Sequence, residues 1–211
     1  MDYIKTKEKQ KFVKLRIPDE LVYEKINGKP VYYKGYKEVI NQQKQIDAIM
    51  GCSSLQSNII NAILMYLYDN INREKYSILT NELGLHLNHK NNLAADISIF
   101  EKKILYGNKK KIEDKYEKIP PKIIIEIDTK ADLNDFDNVM DYYQVKTEKL
   151  FHFGVEKVFW ILTKNKQIIE ASPNKRQTIL SWDKEILLFD NLKFSLNQLL
   201  KNDGIYDFIY T

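Results

Sequence analysis

At 211 residues, with 44% hydrophobic and 29% charged side chains, the chain can bury one substantial core and has the composition of an ordinary globular protein. No apolar run approaches the roughly 20 residues that span a bilayer, the first residues show no signal-peptide core, and a single cysteine, Cys52, excludes an internal disulfide; no membrane partner and a reducing, cytoplasmic setting are therefore expected. The net charge of +4 is compatible with a polyanion but does not identify one, because lysine, asparagine, isoleucine and tyrosine are abundant throughout.

Residues 1–19 are polar and lysine-rich and read as a loose arm ending near Pro18, with 20–211 as one domain. Two strand-like runs, 21–26 and 29–33, flank Asn27-Gly28, a pair that favours the positive φ angles of a tight hairpin. The stretch 35–52 is ambiguous. Apolar residues at 55, 59, 63, 67 and 71, widened by Ile60, Leu64 and Tyr68, predict an amphipathic helix with Ser53 or Ser54 as its cap. Strands are predicted at about 76–82 and 94–100, followed by a lysine-rich loop over 101–120 that Pro120-Pro121 closes. A second helix is predicted over 134–152, its stripe formed by Phe136, Met140, Tyr143, Thr147 and Leu150, with Lys146 at the border. Strands at 157–163, 166–171 and 177–182 follow, and the tail from 185 to 200 reads as a strand and a short helix. The pattern is that of one α/β domain with a mixed sheet.

The run Ile123-Ile-Ile-Glu126-Ile-Asp128-Thr-Lys130 interrupts this ordinary reading. It has the apolar character of a buried strand, yet carries charge at every second position. Alternation along a strand puts Glu126, Asp128 and Lys130 on one side, with Ile125 and Ile127 on the other, Asp128 then supporting the site or, alternatively, capping the turn that follows. Like charges on one buried face repel, and a bound cation is the simplest compensation.

Other acids fall in order around it. Glu82 ends one predicted strand, and Asp96 lies in the next, sharing a face with Ser98. Lys146 is on the helix that follows Glu126. Carboxylates from neighbouring strands can converge on a hard ion such as Mg²⁺, or Mn²⁺ in its place. Such an ion polarises a phosphoryl oxygen and acidifies water, and a nearby lysine can stabilise the charge that develops. His86 and His89 have a spacing usable for zinc but lack further His or Cys ligands. Lys102, Lys103, Lys109, Lys110 and Lys111 could contact a phosphate backbone, but a solvated loop is the default reading.

The order of hairpin with Tyr23-Glu24, helix, Glu82, Ala95-Asp96-Ile-Ser, Ile124-Ile-Glu126-Ile, and Lys146-xxx-Leu150-xxx-Gly154-Val155-xx-Val-Phe-Trp160-Ile resembles the Uma family of putative restriction endonucleases, within the PD-(D/E)XK nuclease superfamily. The resemblance covers roughly 20–200, and its most specific block is Gly-Val-Glu-Lys-Val-Phe-Trp. It implies a restriction-endonuclease-like α/β fold, a mixed sheet flanked by helices with an N-terminal β-hairpin. It further implies Mg²⁺-dependent hydrolysis of DNA phosphodiester bonds. Asp96 and Glu126 would then be metal ligands together with the Ile127 carbonyl. Glu24 and Glu82 would be supporting acids, and Lys146 the catalytic lysine moved onto the helix. The superfamily's Pro-Asp is Ala95-Asp96 here, and its lysine two residues past the glutamate is Asp128, which leaves Lys130 as a rival to Lys146. The family often has a histidine near residue 56, where this chain has Gln56. Cutting both strands often takes two sites, so a homodimer is compatible with this reading. Two alternatives stand beside it: a catalytically inactive nucleic-acid-binding module on the same scaffold, and a plain interaction protein.

Overall fold

The computed structural model describes residues 17–109 and 111–210. Most of the expected arm, and Lys110 of the lysine-rich loop, lie outside those residues. A single 3-10 turn at Asp19–Leu21 leads into the hairpin of β1 (Val22–Ile26) and β2 (Lys29–Tyr32). Asn27 and Gly28 both take positive φ, 53° and 81°, as a two-residue turn of this twist requires.

The ambiguous stretch forms two short helices, α1 (Tyr36–Ile40) and α2 (Asp47–Met50). Next comes α3 (Ser54–Asn70), where the Ser53 hydroxyl accepts the Gln56 N–H at 3.1 Å. The predicted stripe holds: Ile59, Ile63 and Leu67 are completely buried, each such side chain stabilising the fold by about 1.5–3 kcal/mol.

After α3 come β3 (Tyr76–Asn88), β4 (Asn91–Glu101), a short α4 (Lys102–Tyr106) and β5 (Ile123–Ile127). The crossover helix α5 (Val139–Phe153) leads to β6 (Lys157–Leu162), then β7 (Gln167–Ala171) and β8 (Thr178–Ser181). The tail adds β9 (Glu185–Phe189), β10 (Leu192–Ser195), α6 (Leu196–Asn202) and α7 (Tyr206–Tyr210).

Eight strands form one sheet in the order β2-β1-β4-β5-β6-β7-β8, with β3 also paired to β4. Among the strand pairs of the described residues only β5–β6 is parallel, and α5 makes the crossover that a parallel pair needs. Helices cover both faces. Ile123, Ile125 and Ile127 pack with α3, α6 and the β9–β10 hairpin, whereas Ile124 packs with α5. This is the expected mixed α/β architecture. Among the described residues, no helix is long and apolar enough to cross a membrane.

Several expectations change. The strand predicted to end at Glu82 continues to Asn88 through a bulge, because Asn81 and Glu82 adopt left-handed φ of 71° and 54°. Helix α5 starts five residues late, at Val139, because the Asn138 carboxamide caps it by accepting the Met140 and Asp141 N–H groups. Met140 is consequently exposed, and the buried face is Tyr142, Tyr143, Lys146, Thr147 and Leu150. Lys146 therefore occupies the middle of that face rather than its border. The tail forms a hairpin and two helices in place of a strand and one helix.

Candidate active site

Strand β3 takes one edge of β4 along its length, so β1 and β5 share the other. β1 meets β4 at Asn92 and β5 meets it at Ile97–Ile99, which leaves residues 93–96 at a fork without a ladder partner on that edge. Buried backbone groups there need other partners, and four side chains supply them. Glu24 Oε1 accepts the Ala94 N–H at 2.9 Å, and Lys146 Nζ donates to the Ala94 carbonyl at 2.8 Å. Across the fork, Asp96 Oδ2 accepts the Ile127 N–H at 2.8 Å, and Gln56 Nε2 donates to the Ile127 carbonyl at 3.0 Å.

The sheet also twists at this point. Leu93 and Ala95 pack with the α5 cluster but Ile97 and Ile99 with the α3 cluster, although all four have the same parity along β4. The strand thus turns over at Asp96, opposite the Asn81–Glu82 bulge of β3, as bulges increase local twist. That rotation explains how one aspartate reaches both Gln56 on α3 and the end of β5. Asp96 and Glu126 each lie one residue beyond the last ladder pair, Ile97 and Ile125, and the Asp96 charge acts on Glu126.

Glu126 shares its side of β5 with Ile124 and so faces α5. Lys146 Nζ lies 2.9 Å from Glu126 Oε1 and 2.7 Å from Glu24 Oε1. With the Ala94 carbonyl, these are three oxygens around one ammonium. Tyr142, one turn earlier on α5, donates to Glu24 Oε2 at 2.7 Å. Exposure is 1% for Lys146, 2% for Glu24 and Glu126, and 6% for Asp96.

Three acids against one lysine leave an electrostatic imbalance in a dry place. Burial raises the Asp96 carboxyl, against the pull of the Ile127 N–H. It also pushes Glu126 from 4.5 up to about 8, because the attraction of Lys146 does not offset burial plus the neighbouring Asp96 and Glu24. Burial acts to lower Lys146, yet Glu126 and Glu24 outweigh it and keep the ammonium well above its ordinary value. Without a cation, the cluster therefore holds an extra proton at neutral pH.

A stability consequence follows. Glu126 keeps its proton to about pH 8 in the fold but only to its ordinary 4.5 when unfolded, so the native state binds more protons in between. The metal-free protein should lose stability as pH rises from about 4.5 to about 8, by on the order of a few kcal/mol. Lys146 does not blur this window, because its own shift acts above 10.5. Thermal midpoints across that range check it: a downward slope is expected without metal and a shallower one with Mg²⁺. A flat metal-free profile would contradict the imbalance.

The remaining sequence candidates separate. Glu82 pairs with Lys130, whose ammonium also donates to the Met50 carbonyl at 3.1 Å. Both line a groove of about 350 Å³ with Asp96, Cys52, Thr80 and Asn81. Glu126 and Lys146 are not among the groove's lining residues. Asp128 corrects the strand reading: β5 ends at Ile127, and Asp128 turns left-handed at φ 52°. Its carboxylate accepts the Thr163 N–H at 2.9 Å and the Thr163 hydroxyl at 2.5 Å, tying down the end of β6 instead of joining Glu126. The loop lysines also have local partners: Lys109 pairs with Glu117 and Lys111 with Glu113.

Among the described residues, no three His, Cys, Asp or Glu side chains are grouped to hold a metal by themselves. The oxygen set at the fork is two carboxylates, Asp96 and Glu126, with the Ile127 carbonyl. That suits a hard ion keeping several waters, as Mg²⁺ does, and not a closed zinc cage. Glu126 Oε1 fits the same picture, being buried with no well-directed hydrogen bond despite the lysine beside it. Sequence reasoning missed the Tyr142 contact, which the four-residue spacing to Lys146 on one helix face could have suggested, and the bridging role of Gln56.

No protein-family model matches the chain, and no curated protein matches it. Among solved structures, it is similar to a putative nuclease belonging to DUF820 from Anabaena variabilis ATCC 29413, with a TM-score of 0.61 and 15% identity over 94% of this chain and 96% of that one. At that identity the likeness shows a common fold.

Proposed function

We propose that the chain is a divalent-metal-dependent nuclease that hydrolyses phosphodiester bonds in DNA, of the kind its resemblance to the Uma family implies. The observation that carries this reading is the fork, where the Asp96 carboxylate holds the Ile127 N–H at the end of β5 and its charge acts on the neighbouring Glu126. The fold shared with a putative nuclease supports it.

In this reading Asp96, Glu126 and the Ile127 carbonyl hold Mg²⁺ or Mn²⁺. When bound, the ion supplies Lewis acidity to a phosphoryl oxygen and to water. Lys146 holds Glu126 in place and compensates its charge, since its ammonium is buried between Glu126, Glu24 and the Ala94 carbonyl. Glu24 in turn fixes Lys146. Lys130 is the lysine on the groove wall, and on leaving Glu82 it can meet a phosphate.

A second reading has its own observation: Lys146 is 1% exposed and paired with Glu24 and Glu126 in the interior, away from the groove. That favours a binding module on the same scaffold, without turnover. Plasmid DNA separates the two. A nuclease nicks or cuts it with Mg²⁺ or Mn²⁺ and stops on chelation. A binding module retains salt-sensitive affinity and shows no cleavage whichever divalent ion is added, and that outcome would overturn the nuclease reading.

A further inference from the structure

Gln56 is the one polar member of the buried stripe of α3, which is otherwise Ile59, Ala62, Ile63 and Leu67. At 7% exposure its carboxamide reaches from the helix to the sheet and bridges two atoms of the candidate metal set. Its terminal nitrogen lies 3.0 Å from the Ile127 carbonyl oxygen and 3.3 Å from Asp96 Oδ2. Around an octahedral Mg²⁺ with ligands at about 2.1 Å, adjacent ligand atoms lie about 3.0 Å apart. The end of Gln56 therefore stands where a neighbouring ligand atom belongs, at a vertex rather than at the position of the ion.

We infer that Gln56 is an oxygen ligand of the divalent ion, its amide turned over in the metal-free protein. Without a cation, the two facing oxygens are acceptors, and the NH₂ end satisfies both. With a cation between them, an oxygen is favoured at the vertex. A half-turn about the last side-chain bond exchanges Nε2 for Oε1 at almost constant shape, and hydrogen-bond partners decide which end faces inward. Neither α3 nor β5 has to move. This inference rests on the metal reading above and adds to it a neutral ligand from outside the sheet.

Calorimetric titration of the full chain with Mn²⁺, paired with thermal unfolding with and without the ion, tests it. Gln56→Met keeps the length and removes the oxygen, and should weaken Mn²⁺ binding by at least about tenfold. Gln56→Glu adds an anionic oxygen beside Asp96. It should lower the metal-free midpoint, bind Mn²⁺ more tightly than wild type, and show the larger Mn²⁺-induced rise in midpoint. An amide that only satisfies the end of β5 makes a different pattern: both variants lose stability while Mn²⁺ affinity stays at the wild-type value. That pattern would overturn the inference and leave the metal reading standing. Wild-type protein that binds no Mn²⁺ would overturn both. Should Gln56→Met fail to fold, Gln56→Glu decides alone, and affinity equal to or below wild type counts against the ligand.

Discussion

Replacing either Asp96 or Glu126 by alanine is expected to reduce Mg²⁺-dependent DNA cleavage by on the order of 10³-fold, the scale on which a preorganised electrostatic group acts at a transition state. The two alanine losses should look alike in activity, whereas the two sites differ in what they contribute to stability. Asp96 Oδ2 is the acceptor for the Ile127 N–H at the end of β5. Its removal orphans a buried donor, which costs about 1–3 kcal/mol. Glu126 is instead an acid held at unfavourable potential, its carboxyl pushed up to about 8 by burial and its neighbours. Glu126→Gln should fold at least as stably as wild type at pH 8, where the native carboxylate is half charged. Equal cleavage in wild type and both variants would place any activity elsewhere on the molecule.

The second large effect concerns Lys146. Its ammonium is the shared partner of Glu24 and Glu126, with the Ala94 carbonyl as third acceptor. Lys146→Met retains most of the volume and deletes the charge, leaving two buried acids facing each other. Breaking a buried pair in this way costs about 3–5 kcal/mol, and urea unfolding at neutral pH should show it. Adding Glu24→Gln and Glu126→Gln to the same chain should recover most of that loss, since neutral replacement of a whole buried ionic cluster is often tolerated. A single-variant loss under about 1 kcal/mol would mean that the lysine is solvated, within the range of surface pairs.

The sequence carried the architecture well because its signals were local. The Asn27-Gly28 turn, the four-residue stripe of α3 and the short apolar runs of β5 to β8 each specify their element from neighbouring residues. Asp96 and Glu126 were legible for the same reason, being charged residues inside apolar strands. What escaped depended on how strands part company. Nothing in Thr80-Asn81-Glu82-Leu83 announces a bulge with a left-handed glutamate, and without that bulge the rotation of β4 at Asp96 has no visible cause. Period-2 alternation carried Asp128 onto the face of Glu126 because no local signal said that the strand stops one residue earlier. Its actual partner, Thr163, is thirty-five positions away. Lys146 read as a border residue because a lysine counts as polar in a hydrophobic stripe. Only the two acids it meets across the sheet make the centre of a buried face tolerable.

Placing the ion is the most direct test. In a crystal of the wild-type protein soaked with Mn²⁺, the anomalous difference map should show one peak at the fork. That peak should lie within about 2.0–2.3 Å of carboxylate oxygens from both Asp96 and Glu126 and of the Ile127 carbonyl. Full occupancy of the soak with no peak there, or a peak bound to one of the two acids alone, would contradict the shared grip on which the nuclease reading depends.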